Sequence, residues 1–186
     1  HSFPTRRSSD LVLLKQGKLD DAVRAAEKAR MLAPMEAEPL NGLGLVYLRK
    51  KEYGTAEKYF AEAISLDASS RRAHHGALSV KYAAKDYDAA IDIADHILTL
   101  KPGDQRAEEM KLRIFMKKDD KSSAIELLKS VLVRNAKYDA PSKAFMRLMR
   151  AENREDEAYA FIEQDAKENP GDLPRARRLA RLSLQS

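Results

Sequence analysis

Histidines and carboxylates are the residues here whose types could do chemistry. The histidines are His1, His74, His75 and His96. His74 falls on the inward face of its helix, where Leu40 stands one period earlier, and is expected to be packed. His75 is next in sequence and points elsewhere, so the two do not converge on one metal. His96 has Asp92 one helical turn before it, a spacing that supports a helix more readily than it makes a catalytic dyad. A zinc or iron site needs three or four converging ligands, and none is expected. The carboxylate pair Glu108 and Glu109 and the run Glu155, Asp156, Glu157 read as solvated faces. Gly42 and Gly44 in NGLGLVY lie inside a helix, follow no strand and lack the lysine and hydroxyl residue of a phosphate loop. No catalytic residue, metal or cofactor is therefore expected, and the reading is of a protein that is not an enzyme.

The elements that would position these residues repeat. Residues 51–67 read KEYGTAEKYFAEAISLD, and 34 positions later the chain reads KDYDAAIDIADHILTLK. The aromatic, the alanines and the late leucine return in place. Small residues recur as Ala22, Ala56, Ala90, Ala124 and Ala158, and larger ones such as Phe60 and Leu128 fill the next gap. Apolar residues at helical spacing predict helices. The short polar turns QGK, RKKE, AKD, KDD and AENR predict that these join as hairpins. Pro34, Pro102 and Pro170 follow apolar runs and stop helices. Asp20, Asp88 and Ser122 stand where acidic or capping groups favour a first turn, and Asp139-Ala-Pro141 reads as a cap followed by an early-turn proline.

This pattern resembles the tetratricopeptide repeat, over about residues 12–170. Gly44 alone keeps the glycine of the tight packing position; Leu78, Leu112 and Met146 replace it. The resemblance implies an all-α fold, a right-handed α-α superhelix of antiparallel helix pairs. Its units fall at about 12–36, 37–70, 71–104, 105–138 and 139–172, the first of them truncated. Residues 171–186 are expected to close the stack as a capping helix. In it Leu173, Ala176, Leu179, Ala180 and Leu182 would cover the last unit, while Arg175, Arg177, Arg178 and Arg181 would face water.

The resemblance also implies a partner-binding groove lined by the first helix of each unit. The matching positions include Asn41, Leu45 and Leu48, then Arg72, His75 and Tyr82, then Arg106, Arg113, Met116 and Lys117, then Lys143, Arg147 and Arg150. From Arg72 onward bases dominate, and arginine clamps carboxylates through paired bonds. The expected partner is a protein or peptide segment, an acidic and partly apolar one being favoured. Some members of the family hold the carboxylate tail of heat-shock chaperones with a lysine–asparagine clamp. The matching residues here, Asn41, Leu45, His75, Ser79, Glu109 and Arg113, lack that order, so that clamp is not expected.

Bulk properties narrow the classes further. The chain has 186 residues, with 44% hydrophobic and 34% charged residues, a net charge of +5 and no cysteine. Disulfides and thiolate metal sites are excluded. No stretch reaches the roughly 20 apolar residues that span a bilayer. Nucleic acid is disfavoured because no stacking aromatics alternate with the bases. The membrane is disfavoured because the last helix needs its narrow apolar face for capping. The opening HSFPTRRSSDL resembles a translated sequencing adapter, so residues 1–11 are set aside as non-native. On that reading a signal, an anchor or a catalytic domain upstream would go unseen, and the first unit's Leu13, Leu14, Ala22 and Ala26 would be poorly covered. Two functional readings remain: a non-catalytic interaction scaffold of bacterial type, and an accessory domain of a larger enzyme or of an envelope or secretion assembly. The compartment, cytoplasm or bacterial envelope and periplasm, stays open, as does the oligomeric state.

Overall fold

The computed structural model describes residues 13, 14, 16–135, 137 and 139–183. The expectations for residues 1–11, for the Leu182 side chain and for the closing helix beyond Ser183 lie outside them. Among the described residues there are ten helices and no strand. They are α1 (Leu19–Leu32), α2 (Ala37–Arg49), α3 (Tyr53–Leu66), α4 (Arg71–Ala83), α5 (Tyr87–Leu100), α6 (Gln105–Lys117), α7 (Lys121–Arg134), α8 (Asp139–Ala151), α9 (Glu155–Glu168) and α10 (Leu173–Ser183). From α2 onward the first helices of the hairpins begin 34 residues apart, as the sequence period requires.

The turn inside each hairpin is the same device each time. Gly17, Lys51, Lys85, Asp119 and Asn153 all have positive φ, between 54° and 74°. Each stands just past a helix end. The next residue's N–H then reaches back five positions, as in Glu52 N to Tyr47 O at 2.9 Å and Asp86 N to Lys81 O at 2.9 Å. This is the left-handed closure that satisfies orphan carbonyls at a helix C-terminus. Helix starts are capped less uniformly. Ser70, Asp86 and Asp120 accept a backbone N–H three residues ahead, as do Asp104 and Asp172. The cap of α7 is thus Asp120, and Ser122 lies exposed in its first turn.

The chain divides into two compact units, 1–107 and 108–186. In the first, Leu14 packs with Ala22 and Val46, Leu40 with Ala63 and Ala73, and Phe60 with Ala56 and Val80. Leu14, Ala22 and Ala26 are buried, so they are covered, contrary to the expectation for a truncated first unit. Phe60 sits against two glycines. A Cβ on Gly44 would lie 2.7 Å from its ring, and one on Gly76 2.1 Å. The close approach of α2 and α4 to that ring therefore depends on both positions lacking a side chain. In the second unit one cluster joins Ala124, Ile125, Leu128 and Leu132 of α7 to Phe145, Met146, Leu148 and Met149 of α8 and to Ala158 and Ile162 of α9. Leu179 of α10 packs against it.

The closing helix departs from expectation. Arg175 and Arg178 do not face water. Arg178 is 7% exposed, and both arginines bind Asp165 of α9. Leu173, expected to cover the stack, is 65% exposed. A buried carboxylate draws the long cations inward, and the helix turns accordingly.

Candidate binding faces

The residues proposed to line a groove fall into two groups with different environments. In the first unit most are engaged or enclosed. Asn41 on α2 is 2% exposed, and its Oδ1 has no hydrogen-bond partner among the described residues. Leu45 and Leu48 are half-buried and pack beside the Phe60 cluster. Arg72 on α4 forms an ion pair with Glu38 on α2, which fastens successive first helices to each other. Tyr82 is half-buried, its ring 5.9 Å from that of Tyr87. Arg106, one residue before the end of this unit, is exposed.

His75 is buried and has a structural partner. Its Nε2 donates to Asp104 Oδ1 at 3.2 Å. Asp104 Oδ1 also accepts from Ala107 N at 3.3 Å, which caps α6, and Arg71 approaches Oδ2 at 3.5 Å. Burial pushes the His75 imidazole below its ordinary range, against the pull of the Asp104 carboxylate. Burial alone would raise Asp104, but the Ala107 N–H and His75 bring it below the usual carboxylate value. His74 is packed as expected: its Nε2 donates to the Ala68 carbonyl at 2.9 Å, and its ring lies 4.6 Å from that of His96. Among the described residues no three histidines and acids gather as metal ligands, and no helix is long and apolar enough to cross a membrane.

In the second unit the matching positions are open. Arg113, Met116 and Lys117 on α6 are exposed, as are Lys143, Arg147 and Arg150 on α8. The last three stand at i, i+4 and i+7, so they share one helical face. Arg150 is anchored by Glu155 Oε1 at 2.6 Å, which also accepts from the Tyr159 hydroxyl at 3.1 Å. The hydrogen bond from Arg150 holds Glu155 below the usual carboxylate range and raises the arginine in turn. Arg147 has no ion pair among the described residues. Arg147 on the exposed α8 face can therefore offer its guanidinium to a carboxylate-bearing segment.

Glu108, read as part of a solvated face, is instead 7% exposed and ion-paired with Arg134, and three further features escaped the sequence reading. Gly76 as a seat for Phe60 could have been found in HHGALS, where a helix-interior glycine wants a packing reason. The double duty of Asp104 and the Asp165–Arg175–Arg178 cluster had only the charge pattern of the loop and the tail to mark them.

A family model described as tetratricopeptide repeat matches residues 11–73. No curated protein matches the chain. Several solved structures share the fold. MamA residues 41 to the end, from Desulfovibrio magneticus RS-1, is 16% identical, with a TM-score of 0.65 and coverage of 90% of this chain and 95% of that one. TTC0263, a thermophilic repeat protein of Thermus thermophilus, is 17% identical, with a TM-score of 0.60 and coverage of 94% and 95%. The second such domain of human RPAP3, solved with the HSP70 peptide SGPTIEEVD, is 22% identical, with a TM-score of 0.54 and coverage of 59% and 91%.

Proposed function

We propose that this chain, whose residues 11–73 match the tetratricopeptide-repeat model, is a protein-interaction scaffold whose exposed basic helix faces take an acidic, partly apolar segment of another protein. The observation that carries this reading is the exposed row Lys143, Arg147 and Arg150 on α8, with Arg113, Met116 and Lys117 exposed on α6 of the same unit. Carboxylates presented along an extended or helical segment would meet donors there, and Met116 would accept an apolar side chain. Arginine is suited to this work because its planar fork holds a carboxylate with two parallel bonds. A similar fold holds an acidic peptide in the RPAP3 structure, which makes peptide capture a reasonable use of the architecture.

The test is a peptide array of short Asp- and Glu-bearing sequences, each beside its Asn and Gln counterpart. The chain is expected to retain acidic members over their neutral partners. Arg113→Glu with Arg147→Glu should remove that preference while circular dichroism stays unchanged. Equal retention by the altered and unaltered chains would sink the reading.

A further inference from the structure

The last helix meets its neighbours with charges at positions where earlier units use small or apolar side chains. On the 34-residue register, Asp165 occupies the place of Ala63, Ile97 and Val131, all buried. Arg175 stands where Pro39, Ala73, Ala107 and Pro141 stand in earlier units, and these too are buried. Arg178 stands in the register of Gly42, Gly76, Met110 and Ala144. Three inward positions thus change character together, and only at this joint.

The geometry shows why they change together. Arg175 Nε donates to both Asp165 oxygens at 3.1 Å, and its Nη2 donates to the Val133 carbonyl at 2.5 Å. Arg178 Nη1 donates to the Leu132 carbonyl at 3.4 Å and lies 3.5 Å from Asp165 Oδ2. Leu132 and Val133 belong to the last turn of α7, whose carbonyls have no partner within their own helix. The two guanidiniums therefore cap α7 and neutralise Asp165, which is 6% exposed. Apolar interlock contributes less: Leu179 packs on the core, while Leu173, Ala176 and Ala180 are exposed.

An apolar helix laid on this surface would leave the buried Asp165 carboxylate and the buried Leu132 carbonyl without donors, an arrangement that burial penalises heavily. A helix with guanidiniums three residues apart satisfies both of them. Buried ion pairs that replace apolar packing add little net stability, and here they decide which helix fits. We infer that the surface of α7 and α9 beneath α10 is a selective docking site for a helix carrying arginines at i and i+3. The chain's own α10 is its resident, and a helix of that kind from another polypeptide can exchange with it.

The test uses the full chain carrying Arg175→Gln and Arg178→Gln. Amides of 173–183 should exchange on the order of a hundredfold faster than in the unaltered chain, while those of 139–151 and 155–168 keep their protection. A fluorescent peptide LPRARRLARLS should bind this variant, and the same peptide with the first and third of its arginines, the counterparts of Arg175 and Arg178, replaced by glutamine should not. Asp165→Asn, which keeps the side chain's shape, should release 173–183 in the same way and abolish the preference between peptides. The inference is overturned by unchanged exchange in 173–183, by loss of protection throughout 108–183, or by equal binding or equal failure of the two peptides.

Discussion

At the scale of single residues, the clearest dependence is that of Phe60 on two missing side chains. Gly76→Ala would bring a methyl to 2.1 Å from the ring, where nothing but the aromatic itself can give way. Overpacking of this kind costs about 1–3 kcal/mol. Chemical denaturation should show that loss. Phe60→Leu in the same chain should recover part of it, because the two changes act on one space and are not additive. A strictly additive pair would mean that the ring and the glycine do not compete. His75 gives a second test. Its imidazole is held below its ordinary value, chiefly by burial, so below about pH 6.5 the unfolded chain binds more protons than the native one. Stability is then greatest above that pH and is lost as pH falls. Asp104 is present to soften the loss, while Arg71 and Arg106 oppose the proton. Against His75→Gln, the unaltered chain should lose additional stability between pH 7 and 5. A constant difference across that window would refute the assignment. The spacing of the two histidines placed His74 on the inward face of its helix and aimed His75 elsewhere. It could not show that His75 faces the cap of α6, because Asp104 is 29 residues away and identifies itself only as a helix start.

At the scale of elements, the hairpin turns are where sequence and backbone disagree most openly. Four of the five left-handed positions hold a residue with a side chain: Lys51, Lys85, Asp119 and Asn153. Only the first hairpin turn uses glycine, at Gly17. A side chain in this conformation costs about 1–2 kcal/mol, which glycine avoids at some loss of unfolded-chain restriction. Lys85→Gly should accordingly stabilise the fold by about 0.5–1 kcal/mol, seen as a rise in the denaturation midpoint. A fall would mean that the lysine's stem contributes more packing than its backbone conformation costs. Polar turn composition was enough to place these turns to within a residue or two, since hairpins recur at a fixed period and prolines bound the longer connections. The period could not reveal that each turn adopts one backbone geometry despite its different residues. Nor could it orient α10. Its leucines and arginines fit two faces about equally well by spacing, and the choice is made by Asp165, a buried carboxylate on another helix. Long-range pairing of that kind leaves no local periodicity to detect.

At the scale of the whole molecule, the same period has a thermodynamic consequence. Within each unit the hairpins bury their apolar sides against one another, so stability should be approximately a sum over repeats, and opening need not be all-or-none. The clusters are separate in composition: Phe60 serves the unit ending at Ala107, whereas Leu128, Phe145 and Ile162 serve the unit beginning at Glu108. Phe60→Ala removes the largest fully buried side chain of the first unit, a change that costs about 3–5 kcal/mol in a core. Hydrogen exchange should then show α2, α3 and α4 losing protection by the larger factor, with α7, α8 and α9 near their original rates. The basic residues of α8 would keep their places, and retention of acidic peptides should survive a lesion that melts much of the first unit. If protection fell equally in all helices, the chain would be one cooperative body, and the period would describe its construction without governing how it opens.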